Sequence, residues 1–156
     1  MRFLFFDKIL ALESSKRVLA LKHVSFDAAY FENHFDGLPV MPGTLIVEAI
    51  AQAAGWLNFI THDESVRMVV GLIENVQLGR SVGPGETLTL EATILFVHPE
   101  GVTMEGSARV GDEVVASVER LVFANEQVSR GEFSDAERAH FEYIKRGACV
   151  PSAQSS

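Results

Sequence analysis

The residues with chemistry in them are concentrated in one stretch, Phe31 to Asn58, which reads FENHFDGLPVMPGTLIVEAIAQAAGWLN. A histidine, His34, stands in its polar first part. A carboxyl, Glu48, follows fourteen residues later, inside an apolar run from Thr44 to Ile60 whose polar side chains are Thr44, Glu48, Gln52 and Asn58. A helix this apolar on most sides is expected to be buried. A carboxyl in its middle is costly unless something uses or pairs it. Glu48 and Gln52 are four apart, so they share one face, one turn above the other. Imidazole titrates near neutrality and suits a general base, and burial favours the neutral, proton-donating form of a carboxyl. Residue types alone leave plainer readings open, an ordinary loop histidine and a structural carboxylate paired with an arginine.

These side chains need elements to position them. Arg2 to Leu12 and Arg17 to Val24 are β-prone runs on either side of the turn residues Glu13 to Lys16, and they predict a hairpin. Ser25 to Leu38 reads as a loop. Pro42-Gly43 then opens the helix, with a proline suited to the approach and a glycine whose backbone N–H stays accessible to a ligand. After the polar exit Thr61 to Ser65 come a short apolar run, Met68 to Ile73, and a mixed segment, Glu74 to Gly79. The break Gly83-Pro84-Gly85 precedes the clearest β signal. There Leu88, Leu90, Ala92, Ile94 and Phe96 alternate with Thr87, Thr89, Glu91 and Thr93. Val102 to Val110 and Val114 to Phe123 follow after the turns His98 to Gly101 and Gly111-Asp112, which predicts a three-stranded antiparallel meander. In the tail, Ser134 and Glu137 fit a capping box for a helix from about Asp135 to Arg146, with Ala136, Ala139, Tyr143 and Ile144 on its packing face. The expected fold class is α+β, an antiparallel sheet wrapped around one long helix.

Composition narrows the function. The 156 residues are enough for one domain with a sizeable core, and 47% hydrophobic with 22% charged residues indicates a globular chain. A formal charge of −8 disfavours nucleic acid, which needs clustered Lys and Arg. Cys149 is the single cysteine, and His23, His62, His98 and His140 form no ligand cluster in the sequence, so no metal and no cofactor is expected. Asp7 and Lys8 interrupt the N-terminal apolar stretch before a signal-peptide core, and Glu48 and Gln52 make Leu45 to Ile60 a poor membrane span. The expectation is a soluble, cytoplasmic protein.

The run HFDGLPVMPGTLIVEAIAQ resembles the signature of the 3-hydroxyacyl-ACP dehydratases of bacterial fatty acid synthesis, roughly H-F-P-G-x-P-[IV]-M-P-G-x-L-x-x-E-A-x-A-Q. The likeness extends from about Phe3 to Ala124 and includes Lys22-His23-Val24-Ser25 and Val82-Gly83-Pro84-Gly85-Glu86. Glu48 points to the FabZ-type branch, because the dehydratase–isomerase (FabA-type) branch typically has Asp there. The resemblance implies a hotdog fold over residues 1–124 and a homodimer with composite sites, and it leaves 125–156 as an additional helical extension. In such a dimer the histidine comes from one subunit and the acid from the other. It also implies dehydration of a (3R)-3-hydroxyacyl thioester to the trans-2-enoyl thioester without a cofactor. His34 would be the base and Glu48 the acid. Gly43 would offer its backbone N–H to the thioester oxygen, Gln52 would orient Glu48 or a water, and Phe35 and Met41 would contact substrate. The partner implied is an acyl carrier protein with its phosphopantetheine arm, and Arg80, with Arg67, is the candidate for docking it. The chain departs from the pattern at Asn33, Asp36 and Leu78, which bears on substrate and pathway more than on reaction. The rival readings are a hotdog acyl thioesterase and a non-catalytic acyl-binding subunit.

Overall fold

The computed structural model describes residues 4–62, 66–127 and 135–149. Six strands form one antiparallel sheet in the order β1-β2-β4-β5-β6-β3. The strands are β1 (Lys8–Glu13), β2 (Arg17–His23), β3 (Val66–Leu78), β4 (Thr87–His98), β5 (Gly101–Val110) and β6 (Glu113–Gln127). The helices are α1 (Gly43–Thr61) and α2 (Asp135–Ile144). The predicted hairpin and meander are both present, joined where β2 pairs with β4 from His23↔Thr87 to Arg17↔Thr93. The first strand begins at Lys8, later than the apolar N-terminus indicates.

The element that the sequence reading leaves out is β3. The run Met68–Ile73 and the mixed segment after it are one strand, antiparallel to β6 and at the edge of the sheet. Its apolar residues do not alternate, and Gly71, Glu74 and Asn75 interrupt them. The reason is visible in the burial. Val69, Val70, Leu72, Ile73, Val76 and Leu78 remain 38–54% exposed, so neither face is polar. In β4 the alternation holds through the buried Leu88, Leu90 and Ala92. The register then shifts between Ile94 and Phe96, which leaves Phe96 outside.

α1 packs on the sheet through Ile46, Ala49, Ile50, Ala53, Ala54 and Leu57, each at most 3% exposed and spaced as one helical face. Alanines keep the helix close to the strands. The tightest approach is at Gly106 of β5, where a Cβ would lie 2.3 Å from Ile50 Cγ2. Each large side chain on this face contributes about 1.5–3 kcal/mol of burial. The opposite stripe is open, with Thr44 and Glu48 exposed and Gln52 half-buried. The expectation of a helix buried all round is therefore corrected, because one sheet covers only one side. Among the described residues α1 is the one helix long and apolar enough to cross a membrane, and half of that span is buried inside the fold.

β6 runs through Ala124 to Gln127, and Ile144 of α2 is 2% exposed within the core cluster. Of the four residues expected on the packing face of α2, Ala139 and Tyr143 are exposed. The side chains of Ala136 and Arg67, the Ser134 cap and the tail from 150 lie outside the described residues. Cys149 is exposed and free. Its backbone N–H donates to Leu10 O at 2.9 Å, and Leu12 N–H donates to Cys149 O at 3.1 Å. The chain beyond α2 thus lies against the outer side of β1, so this segment has a structural role that its polar composition does not announce.

Candidate active site

His34 stands on a loop whose geometry is set by its own backbone. A 3-10 turn, Ala29–Glu32, ends at Asn33 with φ −131°. Any residue adopts that angle, so Asn33 is unstrained there. Phe35 and Leu38 then exchange N–H···O bonds of 2.9 and 3.0 Å around Asp36 and Gly37, and Gly37 has φ +73°. That angle calls for glycine, while the position before it accepts Asp as well as Pro. Val40 N–H donates to His34 O at 3.0 Å, and Met41 N–H donates to Val82 O at 2.7 Å. These two bonds tie the loop to the Val82-Gly83-Pro84-Gly85 turn. His34 is half-buried, with Phe35 stacked on it at 3.9 Å between centroids and 55% exposed. Met41 is 3% exposed and packs within the core.

The head of α1 is uncapped by any side chain. Pro42 O accepts from Leu45 and Ile46 N–H, and no acceptor for Gly43 or Thr44 N–H is present among the described residues. Such N–H groups, at the positive end of the helix dipole, favour a developing anion. A Cβ at 43 would come within 2.6 Å of Leu78 Cδ1, the far end of an exposed side chain that can move aside, so the two residues meet at the helix head. The departure at Leu78 is thereby placed at the helix head, 54% exposed.

Glu48 follows five residues later, about 7.5 Å along the axis. It is exposed on the single chain, not buried as its apolar neighbours led one to expect, because it lies on the stripe turned away from the sheet. Gln52 Nε2 donates to Glu48 Oε1 at 2.8 Å, and Gln52 Oε1 accepts from Phe5 N–H at 2.8 Å. Phe5 is a site neighbour that sequence reasoning misses, since a main-chain donor leaves no signature in residue type. No hydrogen bond or ion pair joins His34 to Glu48 within one chain. The helix stripe and the loop are the two halves that the structure presents.

Arg80 is exposed but engaged. It donates to Glu113 Oε2 (2.8 Å), Ser81 O (2.9 Å) and Glu86 Oε2 (3.1 Å), and its Nη2 lies 2.7 Å from Glu86 Oε1. These hydrogen bonds push its guanidinium further above its ordinary range. Arg80 and the Gly83 N–H, at 2.7 Å, hold the Glu86 carboxyl below the usual carboxylate value. One cation between two carboxylates leaves the local charge negative. Among the described residues no group of three or more His, Cys, Asp or Glu could hold a metal.

A long helix packed on a six-stranded antiparallel sheet is the hotdog fold, here with an open carboxylate stripe and an uncapped glycine head. The model of the FabA-like domain family matches residues 1–119. The chain is 42% identical over 124 residues to the 3-hydroxyacyl-[acyl-carrier-protein] dehydratase FabZ of Verminephrobacter eiseniae, a match covering 76% of this chain and 82% of that one. It therefore belongs to the FabA-like family, in its FabZ-type 3-hydroxyacyl-[acyl-carrier-protein] dehydratase branch. Among solved structures, the dehydratase heterocomplex ApeI:P from Xenorhabdus doucetiae aligns with TM-score 0.64 and 20% identity over 88% of both chains. The thioesterase HI1161 from Haemophilus influenzae aligns with TM-score 0.61 and 14% identity over 80% of this chain and 81% of that one. At such identities both speak for the fold alone.

Proposed function

We propose that the chain dehydrates a (3R)-3-hydroxyacyl thioester carried by an acyl carrier protein, and that His34 and Glu48 are its base and acid. Neutral His34 takes the proton from C2, and that electron pair becomes the C2–C3 double bond. The C3–O bond breaks with its pair on oxygen, and Glu48 protonates the departing hydroxyl, which leaves as water. The charge that grows on the thioester oxygen meets Gly43 N–H at the positive end of α1. Phe35, stacked on His34, and Met41, in the wall beneath the loop, are the proposed substrate contacts, and Leu78 shapes the entry beside Gly43.

The observation that carries this reading is α1 itself, whose glycine head is uncapped and whose open stripe carries the hydrogen-bonded carboxyl of Glu48. Membership of the dehydratase family supports it, and the loop histidine sets it apart from the thioesterase reading. We place the working site between two copies. His34 and Glu48 do not meet within one chain, and the exposed apolar β3 edge and the α1 stripe are the surfaces a second copy would cover. A homodimer with composite sites follows from that placement, and the likeness to the FabZ-type dehydratases supports a cytoplasmic location. Carrier docking is assigned to Arg80, which would exchange its bond to Glu113 for a carrier carboxylate. If Arg80→Gln lowers activity equally on carrier-linked and short thioesters, that assignment fails.

The test is hydration of a crotonyl thioester, followed by loss of the conjugated absorbance, in wild type, His34→Ala and Glu48→Gln. Each variant should lose about 10²–10⁴-fold in kcat with an unchanged melting curve. Near-wild-type turnover in either would remove it from the mechanism. Release of free thiol by the wild type without hydration would favour the thioesterase.

A further inference from the structure

Glu48 can act as an acid only if its proton sits on the oxygen that faces the substrate. A neutral carboxyl has one O–H and one carbonyl oxygen, and the two are not interchangeable at a fixed site. The structure shows what distinguishes them. Gln52 lies one turn below Glu48, and its amide has two unlike ends, an oxygen that accepts and an NH2 that donates. An amide that turned over would present its oxygen to Glu48, take the acid's proton as a hydrogen bond and point it away from the substrate.

In this chain the amide is held at its far end. Phe5 N–H reaches Gln52 Oε1 at 2.8 Å, from 47 residues away in sequence. A backbone N–H can face only an acceptor, so the oxygen must lie toward Phe5 and the NH2 toward Glu48, where the distance is again 2.8 Å. Of the two oxygens of a neutral Glu48 the carbonyl is the stronger acceptor, so the donor held against Oε1 favours the carbonyl there. We infer that the Phe5 main chain is a positioning group for the reaction: by fixing the Gln52 amide it places the acidic proton on Glu48 Oε2, the oxygen left for the leaving hydroxyl. The N-terminal segment is anchored for this task. Asp7 N–H donates to Leu21 O at 2.8 Å, and the Asp7 carboxylate accepts from His23 N–H at 2.6 Å and Lys22 Nζ at 2.9 Å. Two residues from Phe5 the strand is therefore tied to β2, and the donor cannot drift. The inference rests on Glu48 being the acid.

The experiment separates the donor from the side chain. Phe5→Ala keeps the N–H and Phe5→Pro deletes it. Both are measured for kcat and KM in the dehydration direction, where Glu48 starts protonated, with a 3-hydroxybutyryl thioester, in the Gln52 background and again with Gln52→Leu. With Gln52 present, kcat of Phe5→Pro should fall at least about tenfold below that of Phe5→Ala at similar KM, within the roughly 10²-fold that a 1 Å misplacement can cost. With Gln52→Leu the two should be equal, because there is no amide left to hold. Equal kcat in the first background, or an undiminished ratio in the second, overturns the inference. If Phe5→Pro does not melt cooperatively, deletion of residues 1–5 removes the same donor and is read against Phe5→Ala in the same way. An inactive wild type, or a fully active Glu48→Gln, would instead overturn the dehydratase reading, whatever position 5 does.

Discussion

Gly106→Ala is a one-methyl change whose consequence can be worked from distances. Gly106 lies on β5, paired to Ala92 of β4 and Val118 of β6, under the middle of α1. The added Cβ would stand 2.3 Å from Ile50 Cγ2 and 3.2 Å from Glu91 O. Ordinary carbon contacts lie at about 3.5–4.0 Å, so more than 1 Å must be found. Ile50 is fully buried and β-branched, with essentially one χ1 rotamer available in a helix, so rotation offers little relief. The strand is hydrogen-bonded on both sides, which leaves the helix to lift. Overpacking of this kind costs about 1–3 kcal/mol, or roughly 2–12 °C in Tm for a domain of this size. Lifting α1 also moves Glu48 and Gln52, which flank Ile50 in sequence, so kcat should fall by up to about 10²-fold. Thermal and urea melts with the hydration assay read both effects. A second variant checks the cause. Ile50→Ala alone costs about 2–5 kcal/mol, but combined with Gly106→Ala it should cost at least about 1 kcal/mol less than the sum of the two. A Tm within 1 °C of wild type for Gly106→Ala, or strict additivity in the double variant, would refute the argument.

Three further outcomes are expected. The Glu86 carboxyl is held below its ordinary value of 4.5 by Arg80 and Gly83 N–H. Its contribution is thus present above that value and lost as pH falls through the lower folded value. The Tm advantage of wild type over Glu86→Gln should therefore be present at neutral pH and disappear in acid. Constancy of that gap down to pH 2 would contradict the assignment. Burial, and then the charge of Asp7, raise the Tyr30 hydroxyl above 10, and its oxygen has no hydrogen-bond partner among the described residues. Tyr30→Phe should leave stability at pH 7 unchanged or raise it by roughly 1 kcal/mol. It should also abolish a loss of stability that begins near pH 10 in the wild type, and a drop in Tm at neutral pH would show that the hydroxyl is bonded. Ile144→Ala should cost about 2–5 kcal/mol and speed proteolysis near α2, whereas an unchanged melt would mean that α2 contributes nothing to the core.

The parts of this molecule that were legible in the sequence are those whose physics is local. Leu88, Leu90 and Ala92 declare a half-buried strand by alternation, and Ile46, Ala49, Ile50, Ala53, Ala54 and Leu57 declare a helix face by spacing. Pro42-Gly43 marks where that helix begins. What stayed hidden depends on contacts between distant segments. β3 has no readable period because its apolar residues on both faces are left uncovered by its own chain. The exposure of Glu48 follows from a sheet that covers one side of α1, and composition cannot say which side. The bonds from Arg80 to Glu86 and Glu113 join separate turns and strands, and nothing in the local sequence announces them. The Phe5 donor is main chain, invisible to any reading of side-chain types.

The two flanks of the sheet are unequal, and that inequality governs how far strands can add from one molecule to the next. Along β3 the outer row of main-chain donors and acceptors has no strand beside it among the described residues. Along β1 the segment ending at Cys149 occupies the corresponding row from Leu10 to Leu12. If both flanks were open, apolar strands like these could join end upon end into a fibre, the hazard of any uncovered edge. With Cys149 bonded across Leu10 and Leu12, part of the β1 flank is withheld from a further strand, so the proposed pairing of two copies through β3 would leave two partly covered rims facing outward. Cys149 thus withholds part of the β1 edge from a further strand, and a chain cut short before Ala148 should aggregate more readily than the full chain, read as thioflavin fluorescence.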